Sequence, residues 1–197
     1  MRTKLARWRH RVQGRTSLLQ FYATVHAATC EECLIHHGRI YASSEDAPAL
    51  PIHAGCRCEL LEFPVKELGH FRTKGATMRA KADRERQRRR LMTALTNALQ
   101  QGDASIADIC QWADQALALD VYLPEIKALC HTHRERLRAD PDLARELRDR
   151  FLKAYRYKYQ DDRYSSMPER MKAERTDHGL QTIRALFGDH LSASDST

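Results

Sequence analysis

The sequence predicts a mainly α-helical protein that begins with a small β unit. From about residue 76 onward, apolar residues recur three and four positions apart, which is the spacing of helices that pack by one face. Before that, residues 20–63 hold short runs of β-forming residues separated by turn and loop signals. The expected architecture of this 197-residue chain is therefore an N-terminal β-hairpin unit followed by a helical bundle or array.

Three short strands are predicted in the β unit, over Phe21–His26, Gly38–Tyr41 and Cys58–Phe63. Each is rich in residues that favour a pleated, half-buried surface. The prolines of the segment 47–51 exclude a helix interior there and indicate a loop. His36 and His37 follow the first cysteine pair and are expected to be exposed turn residues.

Four cysteines and one histidine lie within 29 residues of this unit, as Cys30-Glu-Glu-Cys33 and His53-Ala-Gly-Cys56-Arg-Cys58. A CxxC pair facing a second tight group of soft ligands is typical of a tetrahedral zinc site. Cys56 and Cys58 are two apart, so on an extended strand they would point to the same side and either could bind the metal. The predicted ligands are Cys30, Cys33, His53 and Cys58, with Cys56 as the alternative ligand.

A structural zinc is the role this ligand set favours, because four protein ligands leave no open position for a reactive water. The metal would stabilise a β unit of about 45 residues, which is too short to build a sufficient core alone. Two alternatives remain, a pair of disulfides or a cluster of inert thiols. Disulfides need an oxidising compartment, and no signal peptide is visible, so a cytosolic location is expected. Cys110 and Cys130 lie alone in apolar stretches and are expected to be small buried residues.

The cysteine unit also resembles a known family. The runs Thr29–Cys33, Gly38–Tyr41 and Leu50–Cys58, the last ending in His-x-x-Cys-Arg-Cys, are similar to the phage head morphogenesis (Mu F-like minor capsid protein) motif. The likeness covers roughly residues 20–63. It implies a non-catalytic minor component of a tailed-phage or prophage head, associated with portal or capsid proteins and with packaged DNA. The location it implies is the cytoplasm of a bacterial host cell, or the virion.

Positive charge is concentrated in two segments of the chain, whose formal net charge is +7. Residues 64–90 carry 10 basic and 3 acidic residues, whereas residues 91–197 carry 15 basic and 17 acidic ones. Clustered arginines can grip phosphate oxygens and release counterions, so nucleic acid is the predicted partner. A solvated helix face or an acidic protein partner is the alternative. The predicted nucleic-acid-contacting residues are Arg79, Lys81, Arg84, Arg86, Arg88, Arg89 and Arg90 on a helix, and Arg7, Arg9 and Arg11 near the N-terminus.

Five helices are predicted after the β unit, over about 76–101 and 106–119, after Pro124, from Asp140-Pro141 and from Met167-Pro168. Tyr155, Tyr157, Tyr159 and Tyr164 are expected to be half core and half surface. His131 and His133 are expected to face solvent. The expected organisation is a basic N-terminal segment (1–19), a zinc-binding β unit (20–63), a linker with a basic helix (64–104), a helical bundle (105–191) and a disordered tail (192–197).

A non-enzymatic structural or interaction protein is the function these observations favour, since no nucleophile–base pair or paired carboxylates stand out. The first alternative is a zinc-containing, nucleic-acid-binding subunit of a larger nucleoprotein complex. A nuclease or a toxin is the weaker alternative. No apolar run approaches the roughly 20 residues that cross a bilayer, so no membrane partner is expected.

Overall fold

The computed structural model describes residues 12, 14–25, 29–120 and 122–191, with side chains to residue 188. The chain divides into two compact units, Met1–Arg86 and Gln87–Thr197. The predicted fold class is confirmed, because a small antiparallel sheet precedes a mainly helical remainder. Among the helices in the described ranges, none is both long and apolar enough to cross a membrane.

The first unit is built on a three-stranded antiparallel sheet with the strand order β2-β1-β3. Strand β1 (Ser17–Tyr22) pairs with β2 (Ile40–Tyr41) on one edge and with β3 (Glu59–Pro64) on the other. Helix α1 (Glu31–His36) lies between β1 and β2 in the chain. The second and third predicted strands are confirmed in position by β2 and β3. The first is shifted, because β1 shares only Phe21 and Tyr22 with the predicted range 21–26, whose last residue, His26, lies outside the described residues.

The two faces of β1 carry different residues, because successive side chains of a strand point to opposite sides. Leu18 and its cross-strand partner Phe63 share one face and are both buried. Phe21 and its partner Leu60 share the other face, where they pack with Cys33 and the other cysteines of the cluster. The sheet therefore separates an apolar layer from the cysteine layer.

Helix α2 (Leu68–Gln101) packs its first half on the first of these faces. The Phe71 ring stacks on Phe63 with 3.9 Å between centroids. The buried Gln20 side chain donates to the Phe71 carbonyl at 3.0 Å. At Gly75 the helix backbone meets the turn at Gly38, where a Cβ atom would lie 2.6 Å from the Gly75 carbonyl oxygen. Gly38 also has φ +76, so both its conformation and its contacts require glycine.

Within the described residues, the second unit contains the end of α2 and five further α-helices. These are α3 (Ile106–Leu119), α4 (Leu123–Thr132), α5 (Arg134–Ala139), α6 (Pro141–Tyr157) and α7 (Glu169–Leu191). Two predicted starts are confirmed, since Ser105 and Asp140 accept hydrogen bonds from the first turns of α3 and α6 at 3.1 and 3.0 Å. The helix predicted after Pro124 is instead two helices, which meet at His133.

The core of this unit is formed by the apolar stripes that the sequence predicts. On α6, Leu143, Leu147, Phe151 and Tyr155 are all buried, four residues apart. Gly179 of α7 lies against the Tyr155 ring, where a Cβ atom would overlap the ring carbons. The mixed environment predicted for the tyrosines is confirmed, because Tyr155 and Tyr159 are buried whereas Tyr157 is exposed.

The second unit contains polar side chains with little exposure that the sequence did not predict. The Lys158 ammonium pairs with Asp120 at 3.4 Å and lies over the rings of Tyr122 and Tyr164. The expectation that His133 faces solvent is wrong, because the residue is only 6% exposed. Its Nε2 has no hydrogen-bond partner among the described atoms. Burial lowers the pKa of His133, since it disfavours the charged imidazolium.

Candidate metal centre

Helix α1 positions the first two sulfur donors. Cys30 is its N-cap residue, and the Cys33 backbone amide donates to the Cys30 Sγ at 3.3 Å. Residues three apart lie on the same face of a helix, so the two thiols point the same way. At the other end, the His37 amide caps the Cys33 carbonyl at 3.1 Å, and Gly38 then turns the chain back into β2. The CxxC pair is thus held by a helical turn rather than by a β-hairpin.

The loop before β3 supplies the other donors. The Cys56 amide donates to the His53 carbonyl at 3.0 Å, which closes a tight turn. His53 Nδ1 lies 2.9 Å from the Ala54 carbonyl oxygen. A carbonyl can only accept, so Nδ1 carries the proton and Nε2 keeps its lone pair. This outer hydrogen bond prepares Nε2 as a metal ligand, in the way that second-sphere carbonyls commonly do.

The donors meet around Cys33. One group comprises Cys30, Cys33 and His53, and a second comprises Cys33, Cys56 and Cys58, with all ligand atoms in each group within 4.8 Å of one another. Cys33 Sγ lies 3.3 Å from His53 Nε2 and 3.8 Å from Cys56 Sγ. A tetrahedral zinc with bonds of about 2.0–2.3 Å has ligand–ligand edges of about 3.5–3.8 Å. The cluster can therefore hold a metal ion after small side-chain movements.

A cavity of about 470 Å³ opens beside the cluster. Its lining includes the four donors predicted from the sequence, which are Cys30, Cys33, His53 and Cys58. Cys56 is absent from that lining, although its sulfur touches that of Cys33. The Cys33–Cys56 distance fits a tetrahedral edge, and Cys56 and Cys58 belong to the same group of ligand atoms with Cys33, so geometry leaves both as candidates. The shared cavity is consistent with Cys58 as the fourth ligand.

The six cysteines are free thiols, so no disulfide closes this cluster. Burial, together with hydrogen bonds among the neighbouring thiols, raises the pKa of Cys33 well above its ordinary value. Burial likewise raises the pKa of Cys58 to about 11. Desolvation acts against ionisation of Cys56 too, but backbone hydrogen bonds from Cys58 and Ile52 lower its pKa to about 7. Metal binding here must displace thiol protons, because thiolate is the ligand form.

The expectation that His37 is exposed is wrong, and His36 is half-buried. His37 is 3% exposed, and its Nδ1 accepts a hydrogen bond from the Ala23 amide at 3.0 Å. Desolvation, with a further contribution from Lys81, lowers the pKa of His37 to about 4. His36 Nδ1 hydrogen-bonds the Tyr41 hydroxyl at 2.6 Å. Both imidazoles thus stabilise the turn between α1 and β2.

Some basic residues of α2 make contacts inside the first unit, whereas others are exposed. Arg79 Nη1 donates to the Gly38 carbonyl at 2.7 Å, and Arg86 Nε pairs with Glu31, the first residue of α1. These two arginines attach α2 to the segment that carries the CxxC pair. Lys81 and Arg84 lie between them in sequence and are exposed.

Arg88 is used inside the second unit. Its side chain is 1% exposed, pairs with both carboxylate oxygens of Glu125 and lies over the Tyr122 ring at 4.4 Å. A phosphate cannot reach a guanidinium in that position, so the predicted nucleic-acid role does not fit Arg88. Arg90 is exposed and Arg89 is half-buried. Arg7, Arg9 and Arg11, the other predicted contacts, lie outside the described residues.

One cavity residue was missed by the sequence interpretation. Arg57 lines the cavity beside the four donors and is exposed. Its place between two cysteines of the cluster was the available signal.

A scan of protein-family models, a search of curated proteins and a search of solved structures each found no match to this chain.

Proposed function

We propose that this chain is a non-enzymatic interaction protein, with a zinc-stabilised N-terminal unit and a cationic helix face that contacts nucleic-acid phosphates. The observation that carries the proposal is the cavity that Cys30, Cys33, His53 and Cys58 line together. Three sulfurs and an imidazole are ligands that suit zinc. Four such donors complete a closed shell, which favours a structural role for the metal.

Zinc would also add stability to the first unit, whose buried core is small. Among the described residues, the buried part of the cysteine layer is small and consists of Phe21, Ala23 and Cys33. A metal in the cavity would cross-link α1 with the loop before β3. Metal sites of this kind supply folding free energy directly, because the unfolded chain has no preformed site.

Nucleic acid is the proposed partner of the exposed face of α2 in the first unit. Lys74, Lys81 and Arg84 are exposed there. Exposed cations can contact phosphate without losing a structural contact, unlike Arg79, which donates to the Gly38 carbonyl, and Arg86, which pairs with Glu31. In the second unit, Arg90 is a separate candidate. The role in a phage head, with portal or capsid proteins as partners, rests on the sequence resemblance of residues 20–63 alone.

The metal is tested by mass spectrometry of the purified full chain under reducing conditions. One zinc per chain is the expected result, and replacement by Co²⁺ should give the visible absorption of a tetrahedral site with three thiolates and one imidazole. A Cys33→Ser variant should lose the metal, because both donor groups contain Cys33. A wild-type protein that binds no zinc or cobalt would overturn the proposal.

Nucleic-acid contact is tested by fluorescence anisotropy with a duplex DNA probe at several salt concentrations. A double variant, Lys81→Ala with Arg84→Ala, should weaken binding and flatten the dependence of log affinity on log salt by about two phosphate contacts. The matched control removes Arg145 and Arg170, which are exposed arginines of the second unit. Equal losses in both variants would indicate a general charge effect and contradict the proposed surface.

A further inference from the structure

The cluster contains one donor more than a tetrahedral metal needs. Cys30, Cys33, His53 and Cys58 line the cavity, and Cys56 lies outside it. Cys56 Sγ is nevertheless in contact with Cys33 Sγ at 3.8 Å. Two sulfurs at this separation are unbonded, but a change of about 2 Å brings them to disulfide length. If zinc binds as proposed, Cys56 is a surplus thiol, and the neighbour with which it can react is Cys33.

We propose that Cys56 is an oxidation site whose disulfide with Cys33 releases the metal. The cysteine pair is chosen by contact and by access. Cys56 is half-buried, whereas Cys33 is 2% exposed. Cys30 and Cys58 are half-buried too, but both are ligands in the proposed site. A small hydroperoxide therefore reacts first with Cys56, and Cys33 serves as the resolving partner. Susceptible thiols of this kind are accessible and lie next to a second cysteine.

The chemistry balances with hydrogen peroxide as the oxidant. The Cys56 sulfur attacks one peroxide oxygen, the O–O bond breaks, and the products are a sulfenic acid and water. The Cys33 thiolate then attacks the Cys56 sulfur, the S–O bond breaks, and hydroxide leaves. Each sulfur gives one electron of the two that the peroxide accepts. The new S–S bond removes Cys33 from the metal shell.

Loss of Cys33 affects the metal more than loss of another donor would. Cys33 belongs to both groups of ligand atoms that lie within 4.8 Å of one another. With its sulfur in a disulfide, Cys30 and His53 remain on one side and Cys58 on the other. Three ligands without the shared central one hold zinc more weakly, so the oxidised unit is expected to release it.

The experiment uses the zinc-loaded full chain, hydrogen peroxide and a zinc-sensitive dye. Wild-type protein should release zinc with a Cys33–Cys56 disulfide found by peptide mass mapping. The Cys56→Ser variant should keep one zinc per chain, because Cys56 is not a ligand, and should release it about tenfold more slowly. The matched control, Cys110→Ser, removes a buried thiol of the second unit and should release zinc at the wild-type rate.

Two results would overturn the inference. If Cys56→Ser loses zinc before oxidation, then Cys56 is a ligand and no surplus thiol exists. If it keeps zinc but releases it at the wild-type rate, or if mapping finds a Cys30–Cys33 disulfide instead, then Cys56 is not the oxidation site. Failure of the proposed zinc site itself is distinguishable, because the wild-type protein would then contain no metal. In that event the Cys33–Cys56 pairing is decided by mapping the oxidised metal-free chain.

Discussion

Arg79 Nη1 on helix α2 donates a 2.7 Å hydrogen bond to the backbone carbonyl of Gly38, the residue that turns the chain between α1 and β2. The bond links the basic helix to the segment that carries the CxxC pair. Arg79 belongs to the basic run that suggests nucleic-acid binding, but in the structure it links α2 to the turn before β2 within the first unit.

Replacing Arg79 with methionine should destabilise the first unit, because the charged donor is lost while much of the aliphatic chain is kept. We expect a loss of about 1 kcal/mol in the free energy of unfolding, below the usual range for a hydrogen bond to a charged group, because Arg79 is itself an exposed residue. Thermal unfolding by circular dichroism measures it. Arg84→Met is the control and should change stability by less than about 0.5 kcal/mol, as exposed substitutions do. Similar losses in the two variants would refute a fastening role for Arg79.

Gly38→Ala should also destabilise the first unit, for two reasons that can be separated. The new methyl group meets the Gly75 carbonyl and the Met78 Cβ, and the backbone has φ +76. Gly14→Ala is a matched control in the same unit, since Gly14 has φ +82 but open space around it. The control should lose only the conformational cost of about 1–2 kcal/mol. Gly38→Ala should lose a further 1–3 kcal/mol, roughly, from overpacking. Equal losses in chemical denaturation would show that the contact with α2 is not tight.

Arg88→Ala should destabilise the second unit by about 3 kcal/mol, because removal of one partner leaves Glu125 without its counterion. Arg88→Lys should recover only part of this loss, since an ammonium cannot form the bidentate ion pair with Glu125 or stack on the Tyr122 ring as a guanidinium does. Arg90→Ala, at an exposed position, is the control. Urea denaturation provides the measurement, and an Arg88→Ala protein as stable as the wild type would contradict the assignment of a buried pair.

His133 should make the second unit sensitive to acid. Its folded pKa lies below the unfolded value of about 6.5, so the neutral imidazole contributes stability above that pH. The contribution is lost as the pH falls through the folded pKa. His133→Gln should therefore flatten the fall in Tm between about pH 7 and pH 5. His131→Gln, which changes an exposed histidine, should leave the slope unaltered. If the His133→Gln slope matched the wild-type slope, His133 would not be titrating in that range.

Periodicity was sufficient to predict much of this fold. The helix over residues 106–119 has the predicted bounds, and the stripe from Leu143 to Tyr155 is buried as its spacing indicates. The clustering of these cysteines and His53 was equally predictable, because CxxC and HxxCxC spacings constrain which side chains can meet. The metal and its ligand set stay predictions.

What the sequence could not give was the environment of individual polar residues. Arg79, Arg86 and Arg88 are indistinguishable in sequence from Arg84 and Arg90, because the partners of the first three lie far away along the chain. Glu31 is 55 residues from Arg86, for example. His37 and His133 were misjudged for a related reason. Histidine is compatible with both buried and exposed positions, and only tertiary packing decides between them.

In the proposed zinc centre, the sharing of Cys33 by both donor groups has a consequence for how the ligand set can evolve. Cys56 lies two positions from Cys58 in the chain and touches the same central sulfur. A lineage that lost Cys58 would keep a thiol near the vacated position, so the ligand set could drift without passing through a metal-free ancestor. Cys33 has no such reserve. Purifying selection should therefore be strongest at Cys33, and the inherited variation should accumulate at its partners first.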